Sequence, residues 1–371
     1  MLKSTKEQHW QSYLERAEDP DIWTMHYLTS ALASNGGKAR IPALKYSKGE
    51  EDRMATTNSE KGTGLAKGFF PHKPHLQDPS EGAIYLEACC KADVVMEEQI
   101  CRQLKKLKPY KAPGLDGILN VVLTKYANML VKRLHQIYEA MLKKGLQYKP
   151  WKSFNTIVLY KPGKPRYDVL KAYHPITLLN TMWKVITAIV ADQITFLSEN
   201  HQLLLKHHFG GHPGCTTTDA MHLLTLRIKA AWHSGKVAAV LFLDIKGTFP
   251  NTVPERLVHN LRKWRLPTKY INFVNNMLHD RVTTLKFDGF ASDAIQIDNG
   301  ISQGDLLLMV LYEFYNADLL DIPNSRDKDA MAFVDDSFML AVADSFEEAS
   351  VAMTQLTTHW LTKPQLVPEM V

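Results

Sequence analysis

Cysteine is scarce in this sequence. The four cysteines among the 371 residues, Cys89, Cys90, Cys101 and Cys215, include no C-x-x-C pair. The disulfide framework of a small secreted scaffold is therefore excluded, and a reducing setting is expected. The 15 histidines form no H-E-x-x-H motif and no ligand set with the cysteines, which argues against a zinc enzyme. We expect an intracellular protein, in the nucleus or the cytoplasm and not secreted.

Long apolar runs are also absent. The longest stretches, such as VAAVLFL at 237–243, are far shorter than the roughly 20 residues that span a bilayer, and the N-terminus has no apolar signal core. No repeat, heptad pattern or low-complexity tract is present. Because 45% of the residues are hydrophobic and 22% are charged, the chain has the composition of an ordinary globular protein that does not enter a membrane.

A strong charge of one sign is missing as well. The formal net charge is only +5, which permits a polyanionic partner without requiring one. A cluster of basic residues is most often a solvated face, but three clusters that flank candidate site motifs favour phosphate binding. These clusters are Lys105, Lys106, Lys108 and Lys111; Lys161, Lys164 and Arg166; and Arg262, Lys263 and Arg265.

The hydrophobic pattern predicts an α+β fold. Helices come first, followed by a hairpin whose turn carries cations, more helices, a strand, a helix, the hairpin around Asp288-Gly289, a helix, a hairpin and a last helix. This order is typical of an antiparallel sheet covered by helices. The run VAAVLFLD at 237–244 is almost continuously apolar, so we predict a central strand that is buried on both faces.

The stretch AMAFVDDSFMLAVAD contains two adjacent carboxylates, Asp335 and Asp336, between apolar runs. Asp is common in tight hairpin turns, so a purely structural role is one interpretation. However, like charges close together in a buried setting destabilise a fold unless a cation is present. Asp244 ends the predicted strand and could likewise be a simple strand-end cap. If the strands VAAVLFL and MAFV are neighbours, three carboxylates meet at one sheet edge, as Mg²⁺ prefers.

An ordered set of motifs resembles a known family. LFLDIKGTFPN, NGISQGD and AFVDD, in this order, look like the palm motifs of reverse transcriptases, and most closely of the type encoded by fungal non-LTR (LINE-like) retrotransposons. YKAPGLDG, LYKPGKPRYDVLKAYHPITLLN and HHFGGHPGCTTTDAMHLL are similar to the finger-side blocks of those enzymes. The resemblance covers roughly residues 105–345.

The resemblance implies part of a right-hand polymerase, with fingers and palm present and the thumb missing. The expected divisions are a helical and irregular N-terminal segment at 1–80, fingers-side helices and a finger hairpin at 81–236, the palm with its carboxylates at 237–345, and a palm helix with a truncated C-terminus at 346–371.

The implied activity is RNA-directed DNA polymerisation, in which deoxynucleoside triphosphates extend a DNA primer on an RNA template. Two Mg²⁺ ions, or Mn²⁺ in their place, would assist phosphoryl transfer. By resemblance, the catalytic residues and metal ligands are Asp244, Asp335 and Asp336. The implied substrate-binding residues are Phe249, which would reject a 2′-hydroxyl, the finger cations Lys161 and Lys164, the motif residues Gln303 and Gly304, and His174.

His174 departs from the family pattern, which usually has Arg at this position. A neutral imidazole cannot make the forked contact of a guanidinium with a triphosphate, so reduced activity is expected. One alternative is a remnant of a decayed retroelement that binds RNA without catalysis. A viral RNA-dependent RNA polymerase or a group II intron maturase is another alternative, because both have a palm with the same arrangement of metal-binding carboxylates. Phe249 favours deoxynucleotide use over ribonucleotide use.

Overall fold

The computed structural model describes residues 40–361 except 49–50, 76–78, 246, 321–324 and 326. The helices predicted near the N-terminus therefore lie outside the described residues. The strands are β1 (Leu44–Lys48), β2 (Glu51–Ala55), β3 (Ser153–Tyr160), β4 (Tyr173–Leu178), β5 (Val237–Asp244), β6 (Arg281–Phe287), β7 (Phe290–Ile297), β8 (Lys328–Phe333) and β9 (Asp336–Ala343).

The helices bear out the mixed α+β prediction. They are α1 (Asn58–Phe69), α2 (Glu97–Lys106), α3 (Asn120–Lys125), α4 (Ala127–Lys144), α5 (Thr181–His201), α6 (Thr217–His233), α7 (Pro254–Lys263), α8 (Thr268–Leu278), α9 (Leu308–Asn316) and α10 (Phe346–Leu361). In the part of the chain that is described, none of them has the length and apolar character needed to cross a bilayer.

A three-stranded antiparallel sheet has the strand order β5-β9-β8. Alternate residues of β9 point to opposite faces, so that Phe338 and Leu340 pack toward α6 whereas Met339 packs toward α10. The prediction that 237–244 forms a central strand buried on both faces is wrong. β5 lies at one end of this sheet, and Phe242 is 61% exposed, because the central position belongs to β9.

A four-stranded sheet has the order β4-β3-β6-β7. β3 and β4 form the predicted cation-bearing hairpin. β6 and β7 form the hairpin predicted from Asp288-Gly289, where both turn residues adopt positive φ. The two hairpins are joined by parallel pairing of β3 with β6, so strands from the expected palm range complete the sheet of the finger hairpin.

The segment before α2 is more regular than its composition indicates. Residues 1–80 are predicted to be helical and irregular, but β1 and β2 form an antiparallel hairpin and α1 follows at once. Thr57 begins α1 with a capping box in which its side chain accepts from the Glu60 N–H. Leu44 and Leu65 then pack against Leu285 of the four-stranded sheet, which explains why this segment is ordered.

The largest core lies among α2, α4, α5, α7, α8 and α9. A single long helix is predicted up to Gly145, but the structure has two, because Tyr126 ends α3 and begins α4. Gly145 ends α4 in the left-handed conformation, as predicted. Trp183 and Phe273 stack in the middle of this core with ring centroids 5.4 Å apart. This helical body supports both sheets.

Candidate active site

Two acidic strand ends meet at one edge of the three-stranded sheet. Asp244, the last residue of β5, is the direct antiparallel partner of Asp336, the first residue of β9. Such partners project to the same face, with Cβ atoms about 4.5–5.5 Å apart. Asp335 lies next to Asp336 in the turn from β8 to β9. The structure thus brings the three predicted carboxylates together, although β5 reaches them by pairing with β9 and not with MAFV on β8.

These three residues, called the carboxylate cluster below, are electrostatically unfavourable on their own. Asp335 is half-buried, whereas Asp244 and Asp336 are exposed. Burial raises the pKa of Asp335, and the negative charges of Asp336 and Asp244 raise it further. A hydrogen bond with the Thr248 side chain lowers it. Carboxylate oxygens are the ligands that Mg²⁺ prefers, so the residue types of this cluster fit a hard divalent cation.

The turn that carries Asp335 has a strained backbone. Val334 has φ of 60°, and a positive φ is rare for a β-branched residue. The surroundings hold it there. Asn316 Nδ2 donates to the Val334 carbonyl at 3.3 Å, and a Cβ at Gly210 would lie 2.8 Å from Val334 Cγ2 and 2.9 Å from its N. Such strain persists where neighbouring structure fixes it, as at functional turns.

Two buried titratable residues lie behind this turn, near the 3₁₀ turn Phe209–Gly211. Glu313 on α9 is 2% exposed, and its Oε1 has no hydrogen-bond partner in the described structure. Burial raises the pKa of Glu313 to about 8. His208 is fully buried with neither ring nitrogen bonded within the described ranges, and burial lowers its pKa to about 4. Both residues are therefore mainly neutral at pH 7, and sequence reasoning missed them.

A cleft of about 670 Å³ opens over the carboxylate cluster. Its walls come from the β3–β4 hairpin, the loop after β5 and the loop before α9. The predicted site residues among its lining are Asp244, Asp335, Phe249, Gln303, Lys161, Lys164 and His174. Asp336 and Gly304 are not in the lining. Residues far apart in the sequence therefore share one cavity.

Phe249 lies in the cleft between two packed loops. Its ring meets the Tyr312 ring edge-on at 5.5 Å and 73°, and it packs against the large core on one side. Its carbonyl accepts from the Ile301 N–H at 2.8 Å. Gly300 lets the loops approach, because a Cβ there would lie 2.7 Å from the Pro250 carbonyl oxygen. The aromatic ring is thus fixed in place beside the carboxylate cluster.

The β3–β4 hairpin contributes positive charge to the opposite wall. Lys161 and Lys164 line the cleft, and so does Lys171, which the sequence analysis did not single out. Burial lowers the pKa of His174, and the charges of Lys161 and Lys164 lower it further. At neutral pH the imidazole is therefore uncharged, and the three lysines carry the charge of this wall.

The loop before α9 is anchored to β4. The Thr177 N–H donates to the Gln303 carbonyl at 3.0 Å. Gly304 has φ of 115°, and a Cβ there would lie 2.9 Å from the Thr177 carbonyl oxygen. Because Gly304 has no side chain, the loop before α9 can lie close to β4. Asp305 then accepts from Trp183 Nε1 at 2.9 Å and from the Leu307 N–H at 3.0 Å, which fixes the start of α9.

Arg281 supports the same loop from beneath. It is 4% exposed, and its guanidinium donates to the carbonyls of Leu278, Asn299 and Gly300. Burial lowers its pKa to about 10, so the guanidinium stays charged at neutral pH. Sequence reasoning missed it, because an Arg at the start of a strand carries no motif.

Only one of the three basic clusters reaches the cleft. Lys161 and Lys164 do so, but the cluster on α2 and the loop after it is exposed outside the cleft lining. In the third cluster, Lys263 pairs with Asp318 at 2.7 Å and Arg265 donates to the Glu87 carbonyl. The expectation that all three clusters serve phosphate binding is therefore corrected for the third, whose charges are used within the fold.

Comparison with known proteins adds an independent finding. The model of the family described as "Reverse transcriptase (RNA-dependent DNA polymerase)" matches residues 159–366. A probable RNA-directed DNA polymerase from transposon BS of Drosophila melanogaster is 26% identical over 86% of this chain and 36% of that protein. One from transposon X-element of the same species is 27% identical over 69% of this chain and 28% of that protein.

The RNA-directed DNA polymerase from mobile element jockey of Drosophila melanogaster is 24% identical over 76% of this chain and 30% of that protein. The chain therefore spans about a third of the length of the curated relatives it matches. The matched family region contains the finger cations, all three carboxylates and the loop before α9.

Proposed function

Because this chain belongs to the reverse transcriptase (RNA-dependent DNA polymerase) family, we propose that its cleft adds deoxynucleotides to a DNA primer paired with an RNA template. The relatives named above are polymerases of transposons, and the prediction of a non-LTR retrotransposon reverse transcriptase is confirmed. Its narrower assignment to the fungal type stays a prediction. A reaction that uses deoxynucleoside triphosphates belongs inside a cell, in the nucleus or the cytoplasm.

The observation that carries this proposal is the pairing of Asp244 with Asp336 beside Asp335, under a cleft whose far wall is basic. The family uses divalent metal ions, and we propose two Mg²⁺ ions held by Asp244, Asp335 and Asp336. Bound there, they would neutralise negative charge at the transferring phosphoryl group and its leaving oxygen. The mutual repulsion of the three carboxylates supports this assignment, because the charges of Asp336 and Asp244 raise the pKa of Asp335 when no cation is bound.

The remaining cleft residues have proposed roles in binding. Lys161 and Lys164 neutralise the triphosphate from the finger side, while the neutral His174 donates one hydrogen bond at most, because only one of its ring nitrogens carries a proton. Phe249 excludes a ribose 2′-hydroxyl, and its fixed ring supports this role. Gln303 contacts the incoming nucleotide, and Gly304 positions Gln303 by letting the loop approach β4.

Primer extension on an RNA template with Mg²⁺ tests the proposal. The wild-type chain should incorporate deoxynucleotides, and Asp335→Asn should reduce incorporation to background because it removes one metal ligand. Asp293→Asn, an exposed carboxylate on β7, is the matched control and should behave as the wild type. Equal background signals from wild type and Asp335→Asn, with RNA binding retained, would instead identify a non-catalytic RNA-binding remnant.

Two further variants address substrate choice. Phe249→Ala should admit ribonucleotides in competition with deoxynucleotides. Ribonucleotide preference in the wild type would favour an RNA-dependent RNA polymerase. His174→Arg should increase incorporation, because a forked charged contact is worth on the order of 2–4 kcal/mol, or about 30- to 1000-fold in rate or affinity. An unchanged rate would remove His174 from the triphosphate site.

A further inference from the structure

A second cluster of metal-binding side chains lies outside the cleft lining. The Sγ atoms of Cys89 and Cys90 and a ring nitrogen of His201 all lie within 4.8 Å of one another. Both cysteines are partly buried, and His201 is exposed. Sequence spacing does not reveal this group, because adjacent cysteines match no ligand motif and His201 ends a distant helix. The expectation that the cysteines and histidines form no ligand set is therefore corrected for these three residues.

The separation of the two sulfur atoms suits a tetrahedral metal site. Cys89 Sγ and Cys90 Sγ are 3.6 Å apart, much longer than the roughly 2.05 Å of a disulfide bond. Two thiolates at about 2.3 Å from a tetrahedral Zn²⁺ ion lie about 3.8 Å from each other. The side chains thus need only a small adjustment to bind one ion.

The local backbone also favours a cation. His201 is the last residue of α5, where the helix dipole places partial negative charge. The Cys89 N–H donates to the Arg265 carbonyl at 2.9 Å in the loop between α7 and α8. Asp93 is an acidic residue whose charge acts on Cys90. Thus the two cysteines lie on a segment that the neighbouring loop already holds in place.

We propose that Cys89, Cys90 and His201 form a binding site for a thiophilic divalent cation of the Zn²⁺ class, with water as the fourth ligand. Thiolate and imidazole select Zn²⁺ over Mg²⁺, whereas the carboxylate cluster has the opposite preference. On binding, the two sulfur–metal bonds replace the thiol S–H bonds and the protons leave to solvent. This site does not depend on the proposed polymerase function.

The site would join three parts of the helical body: the segment before α2, the end of α5 and, through Cys89, the loop between α7 and α8. α5 has 21 residues and is therefore about 30 Å long. Its first turns contact the loop before α9 through the bond from Trp183 to Asp305. The ion would thus stabilise one end of the helix whose other end supports the cleft.

Cobalt binding to the whole 371-residue chain under a reductant tests this site. Co²⁺ should bind at about one equivalent with a thiolate charge-transfer band, Zn²⁺ should displace it, and excess Mg²⁺ should not. The double variant Cys89→Ser/Cys90→Ser should lose the band, and His201→Gln should weaken affinity about tenfold or more. Cys215→Ser, which removes an exposed cysteine, and Asp335→Asn should both keep it.

A thiol-protection measurement on the wild type tests the site even if the cysteine variants fail to fold. In the wild type, Zn²⁺ should protect two of the four cysteines from a maleimide, and peptide mapping should identify them as Cys89 and Cys90. Absence of a thiolate band in the wild type, a band that survives the double variant, or equal labelling with and without Zn²⁺ would each overturn the proposal. None of these readouts requires polymerase activity, so this proposal can fail or succeed separately from that one.

Discussion

At the scale of single residues, the carboxylate cluster and the turn that carries it lower the stability of the fold. Asp335 is half-buried beside two like charges, and its pKa is raised in spite of the hydrogen bond with the Thr248 side chain. Val334, its neighbour, has a backbone conformation that valine rarely adopts. Both features are unfavourable for folding and are understandable if this turn binds metal and nucleotide.

We predict that Asp335→Asn stabilises the metal-free chain. The amide keeps the shape of the side chain but removes the repulsion from Asp336 and Asp244, so the free energy of unfolding should rise by on the order of 0.5–1 kcal/mol after solvent screening. Thermal unfolding in EDTA measures this. Asp293→Asn should leave the stability unchanged. A lower melting temperature for Asp335→Asn would show that the cluster is not destabilising.

We also predict a pH-dependent contribution from Glu313. Its pKa is about 8 in the folded protein against an ordinary value of 4.5, so the folded state keeps a proton that the unfolded state loses. The free energy of unfolding should therefore fall as pH rises from about 4.5 to about 8.

Glu313→Gln removes this titration. The variant should match the wild type near pH 5 and exceed it by on the order of 3 kcal/mol near pH 7.5. Urea unfolding at several pH values measures the difference, with the exposed Glu347→Gln as control. A difference between Glu313→Gln and the wild type that stays constant with pH would contradict the buried neutral carboxyl.

At the scale of elements, the turn between β8 and β9 is held by its neighbours. Gly210 packs against Val334, and Asn316 on α9 bonds its carbonyl. Strand ladders alone do not fix such a turn, because its two central residues lie beyond the last paired residues, Phe333 and Asp336. The position of Asp335 therefore depends on three separate segments of the chain.

Gly210→Ala should disturb this turn. The added Cβ would meet Val334 N and Cγ2 at under 3 Å and Glu313 Oε1 at 3.2 Å, so we expect a loss of about 1–3 kcal/mol in stability and a loss of primer extension. Gly68→Ala is the control, since its Cβ would meet only Leu170 at 3.4 Å and alanine favours a helix. If both variants were equally stable, the close packing on Val334 would be refuted.

Elements were predictable where local chemistry decides them. Pro254 at the start of α7, Gly145 after α4, the Asp288-Gly289 turn and the Ser345–Glu348 cap of α10 all form as their residues indicate. The position of β5 was not predictable. The sequence of an apolar strand is the same whether the strand is central or lies at the end of a sheet and is covered by helices. Only the pairing of β5 with β9 shows that β5 lies at the end.

The whole molecule shows why the sequence predicted the site better than its supports. The carboxylates, Phe249 and the finger cations belong to motifs, and the structure gathers most of them in one cleft. Arg281 and Glu313 belong to none, and the block that contains His208 assigned it no role, because the roles of all three residues arise from burial by distant segments. The parallel pairing of β3 with β6 likewise joins strands that no local pattern links.

Because β3 pairs with β6, we predict that residues 237–361 do not fold alone. β6 would lose its partner β3, and α7 and α8 would lose the core they share with α2, α4 and α5. A fragment of this range should lack the cooperative thermal unfolding, followed by circular dichroism, that the full chain shows. A sharp transition in the fragment would support the expected palm division at 237–345 as an independent unit, which the shared sheet argues against.

During translation, a strand can pair only after its partner strand has left the ribosome. β3 is translated before its parallel partner β6, which follows only after more than a hundred further residues, so one edge of β3 stays unpaired while those residues are made. Contacts of such long range slow folding and expose the nascent chain to misassociation. Asp244 likewise waits for Asp336, which is translated after β6 and β7. The carboxylate cluster is therefore completed only after the sheet that carries the finger cations can already have closed.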